Sequence, residues 1–108
     1  MESISIEEVK RASQKGDRHW FDKDTMSFFN SRVSHDAYKV RDRAWFVSSE
    51  RQEEDAAHPR LYSVRVCYLE TGRIETVGTF QGHKTIDQAE SAAIRAAAAY
   101  GNGMEKGG

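Results

Sequence analysis

Residues 60–80 read RLYSVRVCYLETGRIETVGTF. Two runs of β-branched and aromatic residues flank a Glu-Thr-Gly turn, and that pattern is a β-hairpin. With Glu70 and Thr71 in a type I turn and Gly72 in the left-handed position, the loop holds three residues. Tyr68 then faces Ile74, Val66 faces Thr76, Val64 faces Gly78 and Tyr62 faces Phe80. A two-residue loop would pair Tyr68 with Glu75 and Leu69 with Ile74, splitting the apolar set between faces, so the buried-face requirement favours the three-residue loop. Ser63, Arg65, Cys67, Arg73, Glu75 and Thr79 fall on the opposite face, which is expected to be wet.

Working outward, AWFVSSE (44–50) is rich in aromatic and β-branched residues and reads as the first of three strands. The intervening RQEEDAAHP (51–59) is an acidic loop ending at the only proline, Pro59. SHDAYKVRDR (34–43) is polar and aperiodic and reads as a connecting loop. Near the N-terminus, Ser5 and Glu8 form a capping box, with Ile4 and Val9 as a hydrophobic staple and Gly16 as the stop, which predicts a helix over 6–15. Its apolar stripe of Ile6, Val9 and Ala12 is narrow and predicts a peripheral position. HWFDKDTMSFF (19–29) places Asp22 as an N-cap and Phe21 with Met26 as a staple, so a short helix is expected over 23–31, with Met26, Phe29 and Val33 on one side. Thr85, with Gln88 three residues on, opens a last helix running to Gly101, and Ile86, Ala89, Ala93, Ala96, Ala97 and Tyr100 share a face. The expected fold is α+β: a two-layer sandwich of a three-stranded antiparallel sheet with helices on one face, in the order α-α-β-β-β-α, over residues 1–100, followed by a flexible Gly-rich tail at 101–108.

A chain of 108 residues holds one modest core. Sixteen basic and seventeen acidic residues give a net charge of -1, so no single-sign field singles out a partner. One cysteine excludes an internal disulfide, the N-terminus lacks a basic and then apolar leader, and no apolar run reaches the roughly 20 residues of a membrane span. A cytoplasmic protein with no membrane contact is expected.

FDKDTM superficially resembles the two-aspartate loop of the haloacid dehalogenase phosphatases, but lacks one residue of that spacing, and Asp22 and Asp24 are accounted for as residues of a helix start. Histidines 19, 35, 58 and 83 are isolated, and a single cysteine cannot build a structural zinc site. Cys67 has only Arg65 nearby to activate it. Ser48 and Ser49 lack a nucleophile-elbow frame, while GNG and TGR are turn signals. No cofactor and no metal are implied.

LYSVRVCYLETGRIETVGTFQGHKTIDQAESAAIRAAAAY is similar to the last two strands and helix of double-stranded-RNA-binding domains, a family that contacts phosphates with basic residues at the start of its final helix. Here Lys84 stands there beside His83, followed by Asp87 and Glu90, so the similarity implies topology more than function. HWFDKDTMSFFNSR, WFVSSE, RLYSVR and IETVGTFQG resemble a family of small proteins of unknown function found in bacteriophages, plasmids and bacterial genomes, which implies a genomic context and no catalytic residues.

The leading expectation is a non-catalytic module acting through protein contacts, as an accessory protein of a mobile genetic element, including inhibition of a nucleic-acid-targeting defence complex. It would work as a monomer or homodimer. Candidate partner-binding residues are the aromatics Trp20 and Phe28, the arginines Arg32, Arg41, Arg43, Arg60 and Arg65, and the acidic set Glu53, Glu54 and Asp55. Ser48, Ser49 and Glu50 at a strand end are a further candidate ligand site, with bonding to the adjacent turn as the alternative. A nucleic-acid binder using the arginines and Lys84 is the second reading, and a small enzyme built on Cys67 with Arg65, or on Asp22 with Asp24, is the third.

Overall fold

The computed structural model describes residues 1–28, 30–51 and 59–103. The elements are β1 (Glu2–Ser5), α1 (Ile6–Lys15), α2 (Lys23–Phe28), β2 (Arg32–Val33), β3 (Asp36–Val40), β4 (Arg43–Glu50), β5 (Leu61–Tyr68), β6 (Arg73–Val77) and α3 (Ile86–Gly101). Among the described residues the six strands form one antiparallel sheet in the order β1-β3-β4-β5-β6, with β2 also paired to β4. The sheet therefore has twice the expected strand number. SHDAYKVRDR is not a loop: β3 lies in it and turns at Arg41–Asp42 into β4. SISI alternates, and Ile4 pairs with Ala37 in β1–β3 before the chain enters α1.

The helices lie on opposite faces, not on one. Strand alternation puts Ala44, Phe46 and Cys67 on a first face, covered by Ile6 and Val9 of α1 together with Trp20 and Phe21. Trp45, Val47, Val64 and Val66 point to the second face, under Ala89, Ala93 and Ala97 of α3. These alanines are fully buried because a side chain of one carbon lets the helix approach the sheet closely. Ile86, assigned to the same helical face by sequence, is 45% exposed at the helix start. Helix α1 is not peripheral: Val9 is fully buried, and it belongs to the same core cluster as its staple partner Ile4.

Both N-cap residues are as expected. Thr85 accepts from the Gln88 amide, whereas Ser5 accepts from the amide of Glu7 and not from that of Glu8, its expected capping-box partner. Helix α2 is shorter than 23–31 because Asn30 takes a positive φ of 49° and the Ser31 amide returns to Met26 O at 2.7 Å. Phe29, expected in the core, lies outside the described residues.

The hairpin exists, but in a different register. Tyr68 faces Arg73, Cys67 faces Ile74, Val66 faces Glu75, Arg65 faces Thr76 and Val64 faces Val77. The loop is Leu69–Gly72, closed by Thr71 and Gly72 amides on Tyr68 O, with Gly72 at φ 76°. Both faces are covered, so Ser63, Arg65 and Cys67 are buried rather than wet, and Arg73 and Glu75 sit on the other face from them. The turn also packs against α1, since a Cβ on Gly72 would stand 2.6 Å from Ala12 O.

No helix among the described residues is long and apolar enough to cross a membrane. Residues 104–108 of the expected tail lie outside the described residues, and Gly101 is the last residue of α3.

Candidate binding site

The first face divides in two. Towards β1 it is apolar; towards the far ends of β4 and β5 it carries Ser48, Glu50, Ser63 and Arg65, all buried. The register explains the grouping, because Ser48 pairs with Ser63 and Phe46 with Arg65, so the two polar pairs of adjacent strands share one side of the pleat. Ser63 Oγ donates to Glu50 Oε1 at 2.6 Å, and Arg65 Nε donates to Ser48 Oγ at 2.9 Å. Arg65 Nη1 donates to Thr76 Oγ1 on β6. The Gln81 amide donates to Ser63 Oγ at 2.8 Å, which ties the segment after β6 to the same cluster. Among the described residues Glu50 Oε2 accepts no hydrogen bond, but Arg65 Nη2 stands 3.6 Å away. Burial pulls the Arg65 guanidinium below its ordinary value, and the Glu50 carboxylate opposes that shift.

HWFDKDTMSFF forms the cover. After the turn at Asp17, whose φ is 59°, Trp20 and Phe21 pack on Phe46 with ring centroids 5.6 and 5.9 Å away. The Arg65 guanidinium carbon lies 5.4 Å from the Trp20 ring centroid and 5.3 Å from that of Phe80, so the cation is held between two rings. Above it a pocket of about 480 Å³ is lined by Trp20, Asp24, Thr25, Met26, Phe28, Ser31, Glu50, Arg65 and Phe80. Phe28 is 75% exposed and Phe80 39%. The pocket is thus a mainly aromatic rim, with Asp24, Thr25 and Ser31 among its residues, over a buried ion pair, of a size usual for ligand sites.

Met26 and Ser31 also line a neighbouring pocket of about 470 Å³, whose other described lining residues are Lys23, Ser27, Asn30, Arg32, Arg51 and Arg60. Arg60 Nη1 is anchored on Asn30 O at 2.8 Å, Ser49 Oγ at 3.0 Å and Ser49 O at 3.2 Å. Burial pulls its pKa down, and the charges of Arg32 and Arg51 pull it further. No carboxylate is among the described residues lining this second pocket.

The five candidate arginines therefore do not converge. Arg32 and Arg60 share the cationic pocket and Arg65 lies under the aromatic one. Arg41 and Arg43 lie at the α3 C-terminus, their guanidinium carbons 5.2 and 4.3 Å from the Tyr100 ring centroid, and Arg41 donates to Gly101 O at 3.2 Å. Glu53, Glu54 and Asp55 lie outside the described residues.

Of the candidate catalytic groups, Cys67 is fully buried and burial pushes its thiol up to about 11, the reverse of what a nucleophile needs. Asp22 is bonded to the His19 ring at 2.8 Å, while Asp24 is on the aromatic pocket's lining, so the two aspartates do not act on one point. No group of three or more His, Cys, Asp or Glu that could hold a metal is present among the described residues.

Residues 5–94 match a family of unknown function, DUF7447. The chain belongs to that family. Comparison with curated proteins and with solved structures gave no match. The membership covers both pockets and the buried Glu50–Arg65 cluster. Sequence reasoning flagged Trp20, Phe28, Arg65 and the Ser48–Glu50 run, but missed Thr76 and Phe80. The available signal was the pair of alternating motifs, Ser-x-Glu on β4 and Ser-x-Arg on β5, opposite in charge and one strand apart.

Proposed function

We propose that this DUF7447 protein is a non-catalytic binding module that acts through protein contacts, with the pocket under Phe28 and Phe80 as its recognition site. The observation that carries this reading is the exposed aromatic rim over a fixed floor: Phe28 is 75% exposed beside a pocket whose base is a buried, hydrogen-bonded ion pair. Large aromatic side chains around a desolvated centre are what protein interfaces use as anchors. A rigid base keeps the conformational cost of association low. The finer role is that of an accessory protein of a phage or plasmid, holding and blocking a nucleic-acid-targeting defence complex.

The test is affinity capture from bacterial extract with the wild-type chain and Phe28→Glu in parallel. A stoichiometric protein retained by the wild type and lost with the variant supports the reading. Identical captures with both chains would overturn it.

A nucleic-acid binder is the second reading, favoured by Lys23, Arg32 and Arg60 lining one pocket. It predicts a gel mobility shift at low salt that fades steeply as salt rises. Absence of a shift with single- and double-stranded oligonucleotides would remove it.

A further inference from the structure

We infer that the two neighbouring pockets form one bipartite groove for an acidic protein segment, an apolar side chain of the partner entering under Phe28 and its carboxylates facing Lys23, Arg32 and Arg60. The inference rests on the protein-binding reading and adds the chemistry of the partner. Its basis is continuity and charge. Met26 and Ser31 line both pockets, so one extended segment can run from one into the other. Methionine at the junction adapts to differing side-chain shapes.

The cationic half is assembled by the fold rather than scattered on a surface. Arg60 is fixed on Asn30 O and Ser49 O, which brings its guanidinium beside Arg32. Like charges held together repel, and an incoming carboxylate relieves that repulsion. Arginine also receives carboxylates in a bidentate manner.

An acidic peptide fits this groove better than a nucleic acid does. Base stacking needs open ring faces. Trp20 already contacts the Arg65 guanidinium, Phe21 and Phe46, and Phe80 carries the same guanidinium. Trp20 and Phe80 are thus taken up in holding Arg65, and Phe28, 75% exposed, is the ring that a partner meets, a single ring where successive bases need several.

The experiment is selection of a random displayed peptide library on the immobilised full chain, with the winning peptides then synthesised and titrated. Enriched sequences should carry an aromatic or aliphatic residue within a few positions of two or more Asp or Glu. Their affinity should fall about tenfold or more with Lys23→Glu/Arg32→Glu, at two exposed positions, and should weaken with salt. Amide shifts of Met26, Ser31 and Arg32 in the wild-type chain locate the contact without any variant. Selection of neutral or basic peptides that are lost with Phe28→Ala but unmoved by the charge reversal overturns the acidic partner and leaves the protein-binding reading standing. No enrichment, or oligonucleotide binding at the same amides, overturns both.

Discussion

Glu50 and Arg65 stand on one face of adjacent strands with Oε2 and Nη2 3.6 Å apart, yet the shortest bonds of each run to hydroxyls. Ser63 holds the carboxylate, while Ser48 and Thr76 hold the guanidinium. Glu50 is 1% exposed and Arg65 9%, so each charge depends on the other and on its hydroxyl partners. Breaking a buried pair costs about 3 to 5 kcal/mol, whereas replacing both partners with apolar groups of similar volume is far milder. Glu50→Leu and Arg65→Met should each destabilise by about that amount in urea unfolding, and the double variant by less than either sum or single change. Strictly additive losses would mean that the hydroxyls alone, and not the pair, satisfy each group.

Gly72 and Gly78 provide a matched contrast. Both have positive φ, at 76° and 75°, but a Cβ on Gly72 would meet Ala12 O at 2.6 Å and Ser13 Cα at 2.8 Å, whereas at Gly78 nothing lies within 4 Å. A left-handed conformation alone costs a non-glycine residue about 1 to 2 kcal/mol. Gly78→Ala should therefore lose about 1 kcal/mol, and Gly72→Ala at least about 3 kcal/mol, because α1 must also shift off the turn. Equal losses, read as urea midpoints, would show that α1 is not seated on the β5–β6 turn.

The same turn shows where sequence reading stops. Capping residues are local, and the ends of α1 and the start of α3 are where Ser5, Gly16 and Thr85 put them. Hairpin register is not local: gathering the larger apolar groups on one buried face selects the three-residue loop and leaves Ser63 and Arg65 on a face expected to be wet. In the fold their polarity is satisfied across the strand by Ser48 and Glu50, which leaves both faces buried and moves the register by one residue. SHDAYKVRDR reads as a loop because it is polar and aperiodic, yet Ala37 within it is fully buried, paired with Ile4 of β1 and in one core cluster with Ile6 and Val9 of α1. Of the site, the aromatics of HWFDKDTMSFF were legible as unusual, and Trp20 is indeed at the pocket. That Arg65 would be clamped by Trp20 and Phe80 depends on three elements meeting, which no single segment encodes.

Asp42 and Tyr100 tie the β3–β4 turn to the end of α3. Tyr100 Oη donates to Asp42 Oδ1 at 2.7 Å, and this bond is the main reason that the carboxyl sits below its ordinary value, with Arg43 and Arg41 adding to it. A depressed carboxyl stabilises the fold above its unfolded pKa and loses that contribution as pH falls through the folded one. Tyr100→Phe should move the Asp42 titration upward in a carboxyl-detected NMR series, and the variant's stability should respond less to acid. An unmoved titration would assign the depression to the two arginines instead.

Cys67 makes the opposite case, at high pH. The thiol is fully buried between Ala44 and Ile74 on neighbouring strands, and burial pushes it from 9.0 to about 11. The unfolded chain releases this proton near its ordinary value while the folded chain keeps it, so between those two pH values the folded state binds more protons and stability falls as pH rises. The contribution is complete below the unfolded pKa and lost by the folded one, a decline of roughly 3 kcal/mol. Tyr38 and Tyr68, also raised by burial, act in the same direction, so the measurement is a difference. Urea unfolding across the alkaline range should show a shallower fall for Cys67→Ala than for the wild type, from a lower starting stability. Thiol-specific reagents should label the wild type only as fast as it unfolds. Parallel pH profiles for the two chains, or rapid labelling of the native protein near neutral pH, would place Cys67 at an accessible surface and reopen it as a reactive group.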